Sequence, residues 1–423
     1  MTKAVARNFG YIALLLFIPF ILHAQVQQEI APPYNIKTVS FRKGDQNVYP
    51  FFRLGESFQL TFDDLFGNEA NYYYSITHCN YNWTPSTQLT VNDYISGFDN
   101  QRIQVYDNSF NTLQIFSRYT LSLPNKFTQI LLSGNYILKI MNDNREVVFS
   151  RRFIIYEDQV SVPLQIKRSR DMDDINEKHN LDFAVKTNAF VFQSPLQNVQ
   201  VALFQNGRFD NALFNIKPQY TIGNDLIYKY DKETQFWAGN EYHYFDNKDI
   251  RNAVNNVLRI TGGEIYNTIL YTNQARANVP YTYYPDINGN FVTNNIMLNV
   301  TNIWLESDYS WVFFSLSAPT FFENKDIYIG GMFNNYAKTD EYKMEYNKET
   351  ALYEKAVMVK QGFNNFMYIV ADKRGNVDGK NAVDGNFFQT ENDYHVLVYY
   401  RQNNDRYDRV IGIGTANSEN IIN

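Results

Sequence analysis

His78 and Cys79 stand side by side in the string His78-Cys79-Asn80-Tyr81-Asn82-Trp83. An imidazole beside a thiol could activate a nucleophile or ligate a metal. A nucleophile also needs a base on a facing element and a donor-lined hole for the oxyanion, and neither is identifiable in the sequence. Tyr72 to Cys79 reads instead as a strand, with Cys79 a small buried hydrophobe and Trp83 capping a sandwich. Asp286-Ile287-Asn288-Gly289-Asn290 has half the oxygen spacing of a calcium loop but lacks the later glutamate, so Asn288-Gly289 reads as a hairpin turn. Asp372, Asp378 and Asp384 recur with glycines between them, a spacing that turns explain as well as calcium does. Asp171, Asp173 and Asp174 lie between Arg170 and Lys178, the mixed-sign pattern of a solvated loop. No catalytic, metal or cofactor-binding set is expected, and the chain reads as a non-enzyme.

Two aromatic clusters could make contacts. Tyr281, Tyr283 and Tyr284 sit between Pro280 and Pro285, and Phe333 to Tyr336 form a second cluster. Exposed rings of this kind bind sugars or protein partners through rigid apolar faces, while packing between the protein's own domains stays equally open. Tyr281, Tyr283, Tyr284 and Tyr336 are therefore the candidate partner contacts.

The elements that must position these groups are strands. Aromatic residues make up 17% of the 423 residues, and aromatics favour strands. Hydrophobic residues at 44% and charged ones at 19% argue against long disordered tracts. A single cysteine excludes an internal disulfide framework and any cysteine-clustered zinc or iron–sulfur site. The excess of 44 acidic over 38 basic residues argues against nucleic acid as a partner. Period-two alternation recurs: Phe58, Leu60 and Phe62; Leu113, Ile115, Tyr119, Leu121 and Leu123; Leu181, Phe183 and Val185; Val199, Val201 and Leu203 before Asn206-Gly207. It places one strand face on a core and the other in water, and the Asn-Gly pairs predict two-residue hairpins. Helical spacing is scarce, with one short helix allowed around Ile250, Val254, Val257 and Leu258. The expectation is an all-β chain of sandwich domains. Boundaries are expected after Glu157-Asp158 and at Ala318-Pro319. They give an N-terminal β-sandwich over 25–158, a middle β domain over 159–319 and a C-terminal sandwich over 320–423, joined by short linkers into a semi-rigid rod.

Residues 1–24 read as a cleavable signal peptide. Lys3 and Arg7 supply the positive region, Tyr11 to Leu22 the apolar run, and Ala24 the small residue before Gln25. The run is short of the ~20 residues that span a bilayer. No cysteine follows the cut, which excludes a lipoprotein. The mature chain, with 36 basic residues against 44 acidic ones, is expected to be exported and soluble.

Several strings resemble those of a Bacteroidetes family first described as a domain of unknown function and associated with the plug component of the type IX secretion system. They are HCNYNWTPS (78–86), Tyr94-Ile95-Ser96-Gly97-Phe98, SGNYILKI (133–140) and SRRFIIYE (150–157), followed by EYHYFDNKDIRN (241–252), DINGNF (286–291), DGNFFQTENDYHVLVYYR (384–401) and DRYDRVIG (405–412). His78, Cys79 and Trp83 carry the family's HC-and-W pattern, in a structural role; Asn80 stands where an acidic residue is more usual. Gly330 to Asn335 and Lys360 to Phe363 are similar to the early-set fold of glycogen-binding modules, so the resemblances imply tandem immunoglobulin-like and early-set β-sandwiches. The family implies a non-enzymatic periplasmic plug, peripheral to the outer membrane. It would dock on the large translocon β-barrel of the type IX system and seal its periplasmic opening, with no small-molecule substrate. The rival expectation is an exported carbohydrate-binding protein. An exported hydrolase is a third reading, and it would require convergent carboxylates in a cleft.

Overall fold

The structure, a computed structural model, describes residues 26–297, 300–318, 322, 324–419 and 421. The signal-peptide reading of 1–24 lies outside them. The chain is all-β, and its α-helices among the described residues are single four-residue turns such as Val91–Tyr94 and Ile303–Glu306. No helix of the described residues is long and apolar enough to cross a membrane.

The first sandwich uses strands from 36 to 156 alone. One sheet orders Gln46–Asn47, Ile36–Lys43, Phe58–Asp64, Ser117–Leu123 and Val105–Asn108 side by side. The other orders Phe51–Arg53, Val147–Tyr156, Gly134–Met141, Tyr73–Cys79 and Gln101–Arg102. Phe58, Leu60 and Phe62 meet Phe149, Phe153 and Tyr136 between the sheets, as the alternation requires.

The boundary expected at 319/320 does not separate two domains. Val199–Gln205 pairs along its whole length with Asp393–Tyr400, which pairs in turn with Arg409–Asn417. These strands face a sheet of Leu164–Arg168, Lys178–Val185, Asp225–Tyr228 and Tyr220–Ile222, with Gln235–Trp237 beside it. The second sandwich is therefore discontinuous, and its core joins Leu181, Phe183 and Val201 to Val396 and Val398. The third sandwich is inserted between its halves, within 239–389. There Gly362–Asp372 pairs with His243–Asp246, Phe291–Thr293 and Lys325–Gly330. Tyr309–Ser317 joins Tyr266–Leu270 to Leu352–Lys360 in the facing sheet. Parity marks which residues face a core, and it carries no information about which distant strand completes the sheet.

Three smaller expectations also change. Val257–Thr261 is a strand paired with Tyr266–Leu270, and no helix forms there because asparagines hold the approach in left-handed turns at Asn255 and Asn256. Asn206 and Gly207 both take positive φ, but the strand that pairs back begins at Leu213, so the connection is a longer loop. Asn288-Gly289 likewise turns without joining two strands of a hairpin. It places Gly289 where a Cβ would overlap the Tyr336 hydroxyl and the Tyr242 ring.

The sandwiches pack against one another and do not form a rod. Between the first and second, Cys79, Trp83, Phe51 and Ile154 share a buried cluster with Phe204, Leu397 and Tyr399. Between the first and third, Asp63 is fully buried against Arg118 at 2.6 Å, with Lys360 and the Tyr309 hydroxyl on its other oxygen.

Candidate docking surface

The strand Tyr73–Cys79 sends its last two side chains to opposite faces, so His78 and Cys79 cannot act on each other. His78 points into the first sandwich, where Nδ1 bonds Ser86 Oγ at 2.8 Å and Nε2 lies 3.2 Å from the Ser133 carbonyl. Burial pulls its pKa down to about 4. Cys79 points at the second sandwich, and burial pushes its thiol up to about 12. Trp83 is buried between the sandwiches and does not cap one. Arg152 lies 4.4 Å above its ring, and Phe209 meets it edge to face at 5.5 Å. The string continues the junction through Tyr81, whose hydroxyl donates to the Val201 carbonyl at 2.8 Å and whose backbone N–H donates to Asp408. Cys79, Tyr81 and Trp83 hold one sandwich on another, while His78 braces the first from within.

The four tyrosines part company. Tyr336 is 5% exposed, bonded at 3.1 Å to the Tyr242 hydroxyl with Arg208 over its ring, so it is an interior residue and not a partner contact. The chain turns inward there because Met332–Asn334 forms a short helical turn against Gly289. Tyr281 is partly buried and donates to Glu241 at 2.5 Å. Tyr283 and Tyr284 are exposed.

Beneath that loop lies a pair of carboxyls. Glu241 accepts from Tyr281 and from the Glu391 backbone N–H, and Asp286 accepts from the backbone N–H groups of Tyr242 and Asn288. The two carboxyls lie close enough for each to act on the other's charge. Burial pushes Glu241 up to about 7 and Asp286 up to about 6, and the nearby Glu391 carboxylate adds to both shifts. Asp372, Asp378 and Asp384 do not converge. Asp384 is held by His243 at 3.0 Å and Arg276 at 2.8 Å, Asp378 by Lys325, and Asp372 closes a turn on Asn376.

An exposed apolar ridge runs elsewhere. Leu113 and Ile115, which share parity with the core positions of Ser117–Leu123, precede that strand and stand in solvent. Phe66 meets Tyr34 edge to face at 5.8 Å, and Ile115 lies against Gly67. The same loop ties to the third sandwich, with the N–H of Phe110 donating to Leu305 O and that of Leu113 to Asp308. Past Asp308, Trp311 (40% exposed) and Phe313 (41% exposed) add two further rings on the outer face of their sheet. Seven large apolar side chains, Tyr34, Phe66, Phe110, Leu113, Ile115, Trp311 and Phe313, are thus left roughly half exposed. Parity made Leu113 and Ile115 look like core; the signal that they are not is the string Asn108-Ser109-Phe110-Asn111, too rich in turn formers to carry a strand. An amide-rich cleft of about 580 Å³ opens beside Asn80, Asn82, Asn198 and Gln200, and its one aromatic wall, Tyr81, is buried.

Residues 36–157, the whole first sandwich, match the family model described as "Type 9 secretion system plug protein 1st domain". The chain belongs to that family. The matched residues include His78, Cys79 and Trp83 and, of the exposed apolar side chains, Phe66, Phe110, Leu113 and Ile115, so the family's domain carries both the junction and part of the exposed surface. Membership ties the chain to type 9 secretion. Over nearly its full length the chain is also similar to a crystal structure of a hypothetical protein from Parabacteroides merdae. Identity is 30% and the TM-score 0.86, over 92% of this chain and 98% of the other. No curated protein matches it.

Proposed function

We propose that the protein is a non-enzymatic periplasmic plug that docks on the outer-membrane translocon of the type 9 secretion system and seals its periplasmic opening. The match of 36–157 to the plug family's first domain carries the reading. A body locked by buried contacts between all three sandwiches suits it, because an occluding part must resist deformation. The apolar ridge suits the docking. Seven half-exposed large side chains offer roughly 700 Å², near the ~800 Å² per partner of a standard interface. Five of the seven are aromatic and they come from two sandwiches, so binding through both would depend on their arrangement. For the carbohydrate-binding alternative, the amide-rich cleft lacks an exposed ring for a sugar to stack on, among the described residues.

The test is capture by tagged protein from detergent-solubilised outer membrane. The expected result is one dominant partner, the large type 9 barrel, lost on Trp311→Asp with Phe313→Asp while the protein stays folded. Capture unaffected by those changes moves the interface elsewhere; no barrel captured by the folded wild type removes the docking.

A further inference from the structure

Arg151 projects on the same face of Val147–Tyr156 as Phe149 and Phe153, which places a guanidinium inside an apolar sandwich. It is 5% exposed and donates at 3.1 Å to the Ser150 carbonyl. Among the described residues no carboxylate pairs with it. A buried cation is costly without an anion, and burial lowers the Arg151 pKa accordingly.

The guanidinium lines a cavity of about 650 Å³, within the ~300–1,000 Å³ of small-ligand sites. The cavity lies between the first sandwich and the loops of the other two. Five cations line it, Arg151, Arg152, Arg208, Lys338 and Arg374, against two carboxylates, Glu29 and Asp210. Neither carboxylate bonds Arg151, although the Glu29 charge acts on it from a distance. Asp210 takes Arg208 at 3.0 Å and Lys338 at 3.3 Å, while Glu29 takes the Arg152 backbone N–H at 2.6 Å and Asn335 at 2.7 Å. Arg152 is spent on the Gln27 carbonyl and the Trp83 ring. Arg151 within and Arg374 at the rim remain without an ion pair among the described residues. Val39, Phe41 and Leu60 supply an apolar wall beside Arg151.

We propose that this cavity binds a carboxylate carried on an apolar group, with the oxoanion seated against Arg151. A guanidinium presents two parallel donors to a carboxylate, and the apolar wall takes the rest of the ligand. Two sources share this chemistry: a free small carboxylate, or an Asp or Glu side chain on a peptide segment. The site is separate from the apolar ridge, and its test needs no translocon, so its failure leaves the docking reading intact.

The full mature chain is titrated calorimetrically with 3-phenylpropionate and its amide, and with acetyl-Phe-Asp-Phe-amide and its Asn counterpart. At least one carboxylate probe is expected to bind one-to-one, with the matching amide at least tenfold weaker. The peptide alone binding identifies a protein segment as the source; phenylpropionate alone identifies a free anion. Arg151→Met, which replaces a buried charge by an apolar chain of similar length and should fold, is expected to bind no better than the wild type binds the amides. Arg374→Gln at the exposed rim is expected to weaken binding two- to fivefold and decides the matter if Arg151→Met does not fold. No preference for carboxylate over amide in either pair overturns the proposal, as does undiminished affinity in the folded variants.

Discussion

His78 and Cys79 differ by one residue and by the whole thickness of a sheet. Strand geometry sends one into the first sandwich and the other into the junction, and in both places burial keeps the group neutral. Thiolate is the reactive form, so native Cys79 should react with a thiol reagent orders of magnitude more slowly than unfolded protein. Rapid labelling of the native state would refute the packed junction. The Glu241–Asp286 pair makes a pH prediction. Both acids have folded pKa values above their ordinary ones, so between about pH 4 and 7 the folded state holds protons that the unfolded state has lost. Stability should therefore fall as pH rises through that window, as both buried carboxyls ionise beside Glu391. Thermal unfolding measured from pH 4.5 to 8, in steps of about half a unit, should show that decline, and Glu241→Gln should flatten it. Alternation in the sequence marked Cys79 as buried. The carboxyl pair was not legible, because its members are 45 residues apart and meet only when the loop folds back over Glu241.

Elements explain why alternation was only half right. In Phe58–Asp64 the inward set Phe58, Leu60 and Phe62 is buried as the period requires, but Thr61 and Asp63 on the outward face are buried too. That face is covered by the third sandwich. Asp63 becomes the anion between Arg118 of its own sheet and Lys360 of Leu352–Lys360, with Tyr309 completing its bonds. Burial raises the cost of its charge, and the two cations outweigh that cost and hold the carboxyl below its ordinary value. Removing one partner from such a group leaves buried charge uncompensated. Asp63→Ala should thus destabilise the protein by about 3–5 kcal/mol in denaturant unfolding, because it strands both Lys360 and Arg118. A loss under ~1 kcal/mol, typical of an exposed ion pair, would mean that the face is solvated. A sequence reader sees an Asp at an outward position and assigns it to water; only the covering strand, nearly 300 residues later, makes it interior.

At the scale of the molecule, composition and period two were enough for an all-β chain of sandwiches, and the motifs were enough for the family. The nesting of the third sandwich within the second was not visible. Val199–Gln205 is completed by Asp393–Tyr400, and a local pattern cannot name a partner so distant. The nesting matters for function. The inserted domain is held at both ends, which enter the two facing sheets of the second sandwich at Gln235–Trp237 and Asp393–Tyr400, and the first sandwich is buried against both. An unfilled pore wide enough for folded cargo also passes dyes and antibiotics. The central claim, steric sealing of the translocon, is tested most directly by the uptake of a large, normally excluded fluorescent dye in cells lacking this protein but retaining the translocon. Increased uptake, reversed by the wild-type gene, is the expected result. Permeability unchanged from the parent, with the translocon confirmed in the outer membrane, would contradict it.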